Sequence, residues 1–197
     1  MLLMFVMSSL FLIALAIGQD PISEHMKSAL LWVVIMFSAA IGLGRSFIAE
    51  EERGTVLLLQ LNVRGSQVLA GKLIFNFILL AAVDLVGLGM FSFLLDMQVE
   101  NLSLMLLVLT LGSIGLAGAT TLLSAIIARA SNKGPLLPVL LFPMLIPLLL
   151  SVVRAASQAL EGGLGWSGVQ VELTTIGAFA GVVLTASFLL FEFVWTE

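Results

Sequence analysis

The sequence predicts an all-α polytopic membrane protein of about six transmembrane helices, and three observations predict it. Hydrophobic residues make up 60% of the 197, charged residues only 10%, and the mean hydropathy is +1.20. Soluble domains are about 45–50% apolar and about 25% charged, so these few charges could not cover a core of this size in water. The apolar residues gather into six runs: Met1–Gly18, about Ser28–Ile48, Leu73–Leu95, Leu102–Ala128, Leu136–Val153 and Leu173–Val194. Each is near the ~20 residues that carry a helix across ~30 Å of hydrocarbon. No alternating apolar–polar pattern of the barrel type appears, so backbone that must satisfy itself in lipid is expected to be helical.

The first run ends in Ala14-Leu15-Ala16-Ile17-Gly18, which has the small residues of a signal-peptide cleavage region. It lacks a basic leader and exceeds a typical signal core, which favours a retained helix over a cleaved signal. Orientation follows from Lys and Arg. One set of connections holds Arg45, Arg53, Arg64, Lys72, Arg129 and Lys133, and the other holds Lys27 and Arg154. Six against two places the first set, and both termini, in the cytoplasm, with His25 and the Glu161–Trp166 stretch outside. In that stretch the glycines of Glu161-Gly162-Gly163-Leu164-Gly165 predict a turn, and Trp166 suits an interfacial anchor.

The formal charge of −4 is a sum over few residues and says little beside their placement. There is no cysteine, which excludes disulfides, thiolate metal sites and Cys nucleophiles. No GxxxxGK[ST] sequence occurs, so any use of ATP is expected to depend on another chain. Nucleic-acid binding has no support, because topology accounts for the cytoplasmic basic residues. An intramembrane enzyme is disfavoured too. The lone histidine lies outside the spans and Asp84 is the one acid deep within them, so no Ser–His or paired-Asp site can be assembled.

The longest connection, Ala49–Gly71, is the most informative. Glu50, Glu51, Glu52 and Arg53 form a charged cluster that cannot lie in hydrocarbon. Gly54-Thr55 interrupts the chain, with Thr55 able to cap a helix over the short apolar run Val56–Leu61. Arg64-Gly65-Ser66 then reads as a turn, with Ser66 an N-cap for the helix that continues through Lys72. A short apolar helix bracketed by charge rests on a bilayer surface or fills a groove on a partner. The second possibility is a coupling element, docking on a soluble ATPase through Glu51, Glu52, Arg53, Gly54, Thr55 and Leu58.

The pattern Glu52-Arg53-Gly54-Thr55-Val56-Leu57-Leu58-Leu59, followed by a turn and Leu69-Ala70-Gly71-Lys72, resembles the cytoplasmic segment of ABC-2-type permeases. Lys133-Gly134-Pro135-Leu136-Leu137-Pro138-Val139-Leu140-Leu141-Phe142-Pro143-Met144-Leu145-Ile146-Pro147 is more discriminating. It is similar to the haem exporter protein B family, the permease subunit of the cytochrome c maturation ABC transporter. The resemblance runs from about Trp32 through the last span. It implies a single transmembrane permease domain over 1–197, with the coupling segment at 49–71, in a bacterial or organellar inner membrane. It further implies three partners: an ABC ATP-binding subunit, a tryptophan-rich haem-handling membrane protein and a small single-span protein. By the same resemblance haem is a substrate, either exported or released from its carrier, ATP sits on the partner, and no cofactor is held tightly. Family members usually open with a short basic amphipathic segment, whereas this sequence begins Met1-Leu2-Leu3. The expectation is that the segment is lost or that the start is placed late.

Several residues within the spans have two readings. Pro138, Pro143 and Pro147 each remove a backbone donor, predicting a broken or kinked helix at the bundle interior, either static or moving. Asp84 costs on the order of 2.5–3.5 kcal/mol in mid-membrane if ionised, so it should face the bundle or a cavity. It is then a transport or gating group, or a carboxyl satisfied by Asn76 or by hydroxyls of other helices. Gly112, Gly115, Gly118 and Ala119 form a small-residue face that packs within the chain or forms a dimer seam. His25, beside Met26, has the chemistry of a haem ligand, although a lone loop histidine is ordinarily just solvated. The methionines read as adaptable packing, and Trp32, Trp166 and Trp195 are isolated rather than part of a haem-handling motif. Two alternatives to the permease of the haem system stand: a non-transporting assembly subunit, and an ABC-2 permease for a lipid, drug or polysaccharide.

Overall fold

The computed structural model describes residues 2–18, 20–44, 47, 54–55, 61–128, 133–163 and 165–196. Among the described residues six α-helices follow one another: α1 (Leu2–Ile17), α2 (Glu24–Gly42), α3 (Gly65–Leu94), α4 (Leu102–Ala128), α5 (Lys133–Glu161) and α6 (Gln170–Thr196). A 3-10 turn, Gly165–Val169, leads into α6, and no strand occurs among the described residues. Helices α2 to α6 are each long and apolar enough to cross a membrane. Helix α1 is apolar but has 16 residues, which at 1.5 Å per residue is about 24 Å, short of a full hydrocarbon core.

Local chemistry sets the helix ends. Ser23 caps α2, its Oγ accepting from the Met26 N–H at 3.3 Å, and Lys27 pairs with Glu24 at 2.8 Å. Asn101 starts α4, its Oδ1 accepting from Leu104 N–H at 3.1 Å and from the Ser103 hydroxyl at 2.8 Å. Gly162, at φ +68°, closes α5 in the left-handed conformation that glycine adopts readily, and its N–H returns to the Gln158 carbonyl. The expected cap at Ser66 is not formed. The N-cap of α3 is Arg64, whose carbonyl accepts from the Gln67 and Val68 N–H groups, so Ser66 already lies in the first turn. Lys72 is therefore inside α3, and the 30 residues of that helix overrun the hydrocarbon core.

The helices alternate in direction. Leu2, Gly42, Gly44, Phe47, Lys72, Ser124, Leu137 and Phe191 meet at one end of the bundle. At the other, Asn101 N–H bonds the Ala159 carbonyl, Gly162 abuts Glu100, and Ile17, Asp20, Pro21 and Ile22 line a cleft with Phe93 to Asp96. Helix α4 is the centre: it touches α2, α3, α5 and α6, and an unbroken stretch from Leu116 to Ala125 is buried on every face. Helix α1 lies outermost, against α2 and α3, with Val6 and Leu10 turned inward. Bulky apolar side chains face outward, among them Phe93 at 84%, Leu15 at 77% and Val171 at 73% exposed, as a lipid-facing surface requires.

The small-residue face of α4 packs within the chain. A Cβ on Gly112 would come within 2.2 Å of the Trp32 ring of α2, and one on Gly118 within 2.9 Å of Val183 of α6. Gly115 meets Leu148 and Phe179. Small residues let the backbones approach, and dispersion across that contact holds helices that gain no hydrophobic free energy from each other in lipid.

No break occurs at the proline run. Helix α5 continues through Pro138, Pro143 and Pro147 without interruption. Leu141, Leu145, Leu148 and Val152 are its buried face, whereas Pro143 and Pro147 are exposed beside Ile146 and Leu150. A proline ring frees the carbonyl four residues back, so Pro143 frees that of Val139 on the outer side rather than inside the bundle. Pro143→Ala, which restores that donor, is expected to raise the thermal midpoint of the detergent-solubilised chain by a few degrees. A lowered midpoint would show that the outward proline face is itself needed for the fold.

Candidate functional site

Two places in the bundle concentrate polar chemistry. The first is the layer where α2, α3 and α4 meet. Asp84, 5% exposed, stands two turns from Asn76 on the same face of α3. Ser113 of α4 donates its hydroxyl to Asp84 Oδ2 at 2.5 Å, and the Asn76 amide donates to Thr121 Oγ1 at 2.8 Å. Together these bonds tie α3 to α4 at two depths. Asp84 is thus satisfied in part by a hydroxyl of another helix, as expected, while Asn76 serves Thr121 instead. Three further buried hydroxyls turn back on their own helices: Ser38 to Val34, Thr120 to Leu116 and Ser187 to Val183, each at 2.7 Å.

Three polar atoms of this layer have no protein partner among the described residues: Asp84 Oδ1, Trp32 Nε1 and Ser28 Oγ. Ser28 and Trp32 lie one turn apart on α2, and both residues are fully buried. The Trp32 ring abuts Gly112, the neighbour of Ser113, and Leu31 abuts Gly87, one turn from Asp84. Trp32 therefore lies near the depth of Ser113 and Asp84, with Ser28 a helical turn further along α2. Buried polar atoms left this way are costly, and in membranes they mark sites of function more often than of packing.

The second place is the connection from α2 to α3. Glu51, Glu52, Arg53 and Leu58 lie outside the described residues. Gly54 has φ +69° with none of the described residues within 4 Å of a Cβ built there, and Thr55 follows it directly. A turn at Gly54 agrees with the break read from the sequence. Asp84 lies in the second half of α3, ten residues before that helix ends at Leu94.

His25 is exposed in the first turn of α2, not in a loop, with Met26 half exposed beside it. No three His, Cys, Asp or Glu residues gather into a metal site among the described residues. Sequence reasoning missed Ser113, Thr121, Trp32 and Ser28 as parts of the polar layer. Single Ser or Trp residues carry no signal in an apolar run, and only the pairing of helices reveals them.

The family model described as CcmB protein matches residues 1–193. The chain belongs to the CcmB family. Membership makes it the permease subunit of a haem-exporter ABC system that includes an ATP-binding partner, and not itself an enzyme. With five helices able to span a bilayer, it is a multi-pass inner-membrane protein. No curated protein and no solved structure matches it significantly.

Proposed function

We propose that this chain converts ATP hydrolysis by a separate ABC subunit into movement of its helices, serving export of haem or its release from a carrier in cytochrome c biogenesis. The observation that carries this reading is the family match over residues 1–193. Two features support it: a charged cluster in the sequence that connects α2 and α3, and a polar layer within helices that otherwise face lipid. Glu51, Glu52, Arg53, Gly54, Thr55 and Leu58 are assigned to the ATPase contact, with charge giving orientation and Leu58 giving burial. The surplus of Lys and Arg at that end puts it, and both termini, in the cytoplasm, where the ATPase lies.

Within the bundle, Asp84 is assigned to transport or gating. Its free oxygen and the indole N–H of Trp32 are the groups that could exchange partners when α2, α3 and α4 move. Pro138, Pro143 and Pro147 are assigned a supporting role, since prolines leave α5 short of hydrogen bonds and easier to bend. No tightly bound cofactor is proposed, haem being cargo. A tryptophan-rich haem-handling protein and a small single-span protein complete the proposed assembly, and His25 is a minor candidate for touching haem.

The test is complementation. Cells deleted for the chain should lose covalent haem attachment to c-type cytochromes, measured by haem staining, and regain it when the chain is returned. Unchanged c-type cytochromes in the deletion, with other ABC export impaired, would contradict the haem assignment.

A further inference from the structure

Where α2 ends, the backbone makes a knot that touches every later helix. Gly44 lies so close to Leu137 of α5 that a Cβ there would collide with the Leu137 side chain. Three residues on, Phe47 is 5% exposed. Its N–H donates to Ser124 Oγ of α4 at 3.1 Å. Its ring meets Phe191 of α6, itself 2% exposed, at 5.2 Å between centroids. The Lys72 ammonium of α3 stands 4.9 Å from the centroid of the same Phe47 ring. A backbone bond, an aromatic pair and a cation–π contact therefore hold one residue against three helices at once, each contact worth roughly 0.5–1.5 kcal/mol.

A residue between two helices needs no such attachment to serve as a link. A connection of this length, reaching from Leu43 to Arg64, could run free of α4 and α6. Phe47 instead fixes the start of the charged segment to the bundle, with residue 48 onward continuing directly from it. Because the contacts are short-ranged and packed, displacement of the segment must either carry α3, α4 and α6 along or break the knot. We propose that Phe47 is the mechanical link through which the partner ATPase moves the helices, with Lys72, Ser124 and Phe191 as the residues that receive the movement. This rests on the ATPase contact assigned above, and it makes Phe47 a positioning residue that meets neither nucleotide nor haem.

The chain contains no cysteine, so a single introduced one is its sole thiol and can be labelled on the purified chain before the complex is assembled. Leu190→Cys, exposed on α6 beside Phe191, would carry an environment-sensitive fluorophore in the whole complex reconstituted in nanodiscs. In that background ATP is expected to change the emission. With Phe47→Ala added, the ATPase should still co-purify at the parental ratio and the emission without ATP should be unchanged. The ATP-dependent change, and cytochrome c maturation in cells, should fall at least about tenfold, as loss of the paired ring contacts implies. Phe47→Trp should restore part of both, and Lys72→Met should give a milder loss. A Phe47→Ala chain that keeps the full ATP response overturns the proposal while leaving the permease reading intact. Absence of ATPase from the Leu190→Cys complex overturns both. If Phe47→Ala fails to accumulate, Phe47→Leu replaces it, and a full ATP response there is equally decisive against the link.

Discussion

Gly112→Leu is expected to cost about 3 kcal/mol or more and to leave little folded chain in the membrane. An alanine Cβ at this position already lies within 2.2 Å of the Trp32 ring, and leucine adds three more carbons in the same direction. Trp32 is fully buried, so the indole cannot swing into solvent or lipid. Moving it would open the α2–α4 contact and displace the Asp84 layer one residue away. The measurement is the yield of monodisperse chain in mild detergent, with the thermal midpoint read from tryptophan fluorescence. Gly177→Leu is the control: nothing lies within 4 Å of a Cβ there, and stability should stay near the parent. Equal losses at Gly112 and Gly177 would mean that helix propensity or insertion, not packing against Trp32, sets the penalty.

The second large effect is expected at Asp84. Asparagine has nearly the same shape and can still accept the Ser113 hydroxyl, so Asp84→Asn should fold and reach the membrane in parental amounts. It cannot carry the charge or the proton that a gating carboxyl exchanges. Cytochrome c maturation is therefore expected to fall about ten- to a hundredfold, the range that loss of one charged hydrogen-bond partner, about 1.5–3 kcal/mol, would give. Asp84→Leu should add a stability loss, because it removes the carboxyl oxygen that accepts the buried Ser113 hydroxyl. Parental maturation in Asp84→Asn would reduce Asp84 to a tie between α3 and α4.

These two positions show what the sequence made legible. Asp84 stood out because one carboxylate in a long apolar run has no ordinary explanation. The glycines of α4 stood out as a packing face, but whether they pack inside the chain or against a second copy depends on which helix arrives beside them. Trp32 and Val183 answer that, and neither is marked in its own run. Hydropathy placed every helix while erring at the ends: α3 begins at Gly65 and α5 extends to Glu161, because helices do not stop where hydrocarbon does. The proline run misled in one respect. A missing N–H looked like an interior break, yet Pro143 and Pro147 lie on the outer face of a continuous helix. Composition cannot tell which side of a uniformly apolar helix faces lipid. Phe47 was invisible for a related reason, since its partners lie in three helices spread from Lys72 to Phe191.

The central claim is that this permease is driven through its α2–α3 connection by another subunit. It is tested most directly by purifying the chain in mild detergent from its native membrane and identifying co-purifying proteins by mass spectrometry, beside a version carrying Glu52→Lys and Leu58→Asp. The account predicts an ABC ATPase with the parent chain, and its loss from the variant while the other membrane partners remain. An intact complex without any ATPase, or an ATPase retained at the parental ratio by the variant, would contradict it.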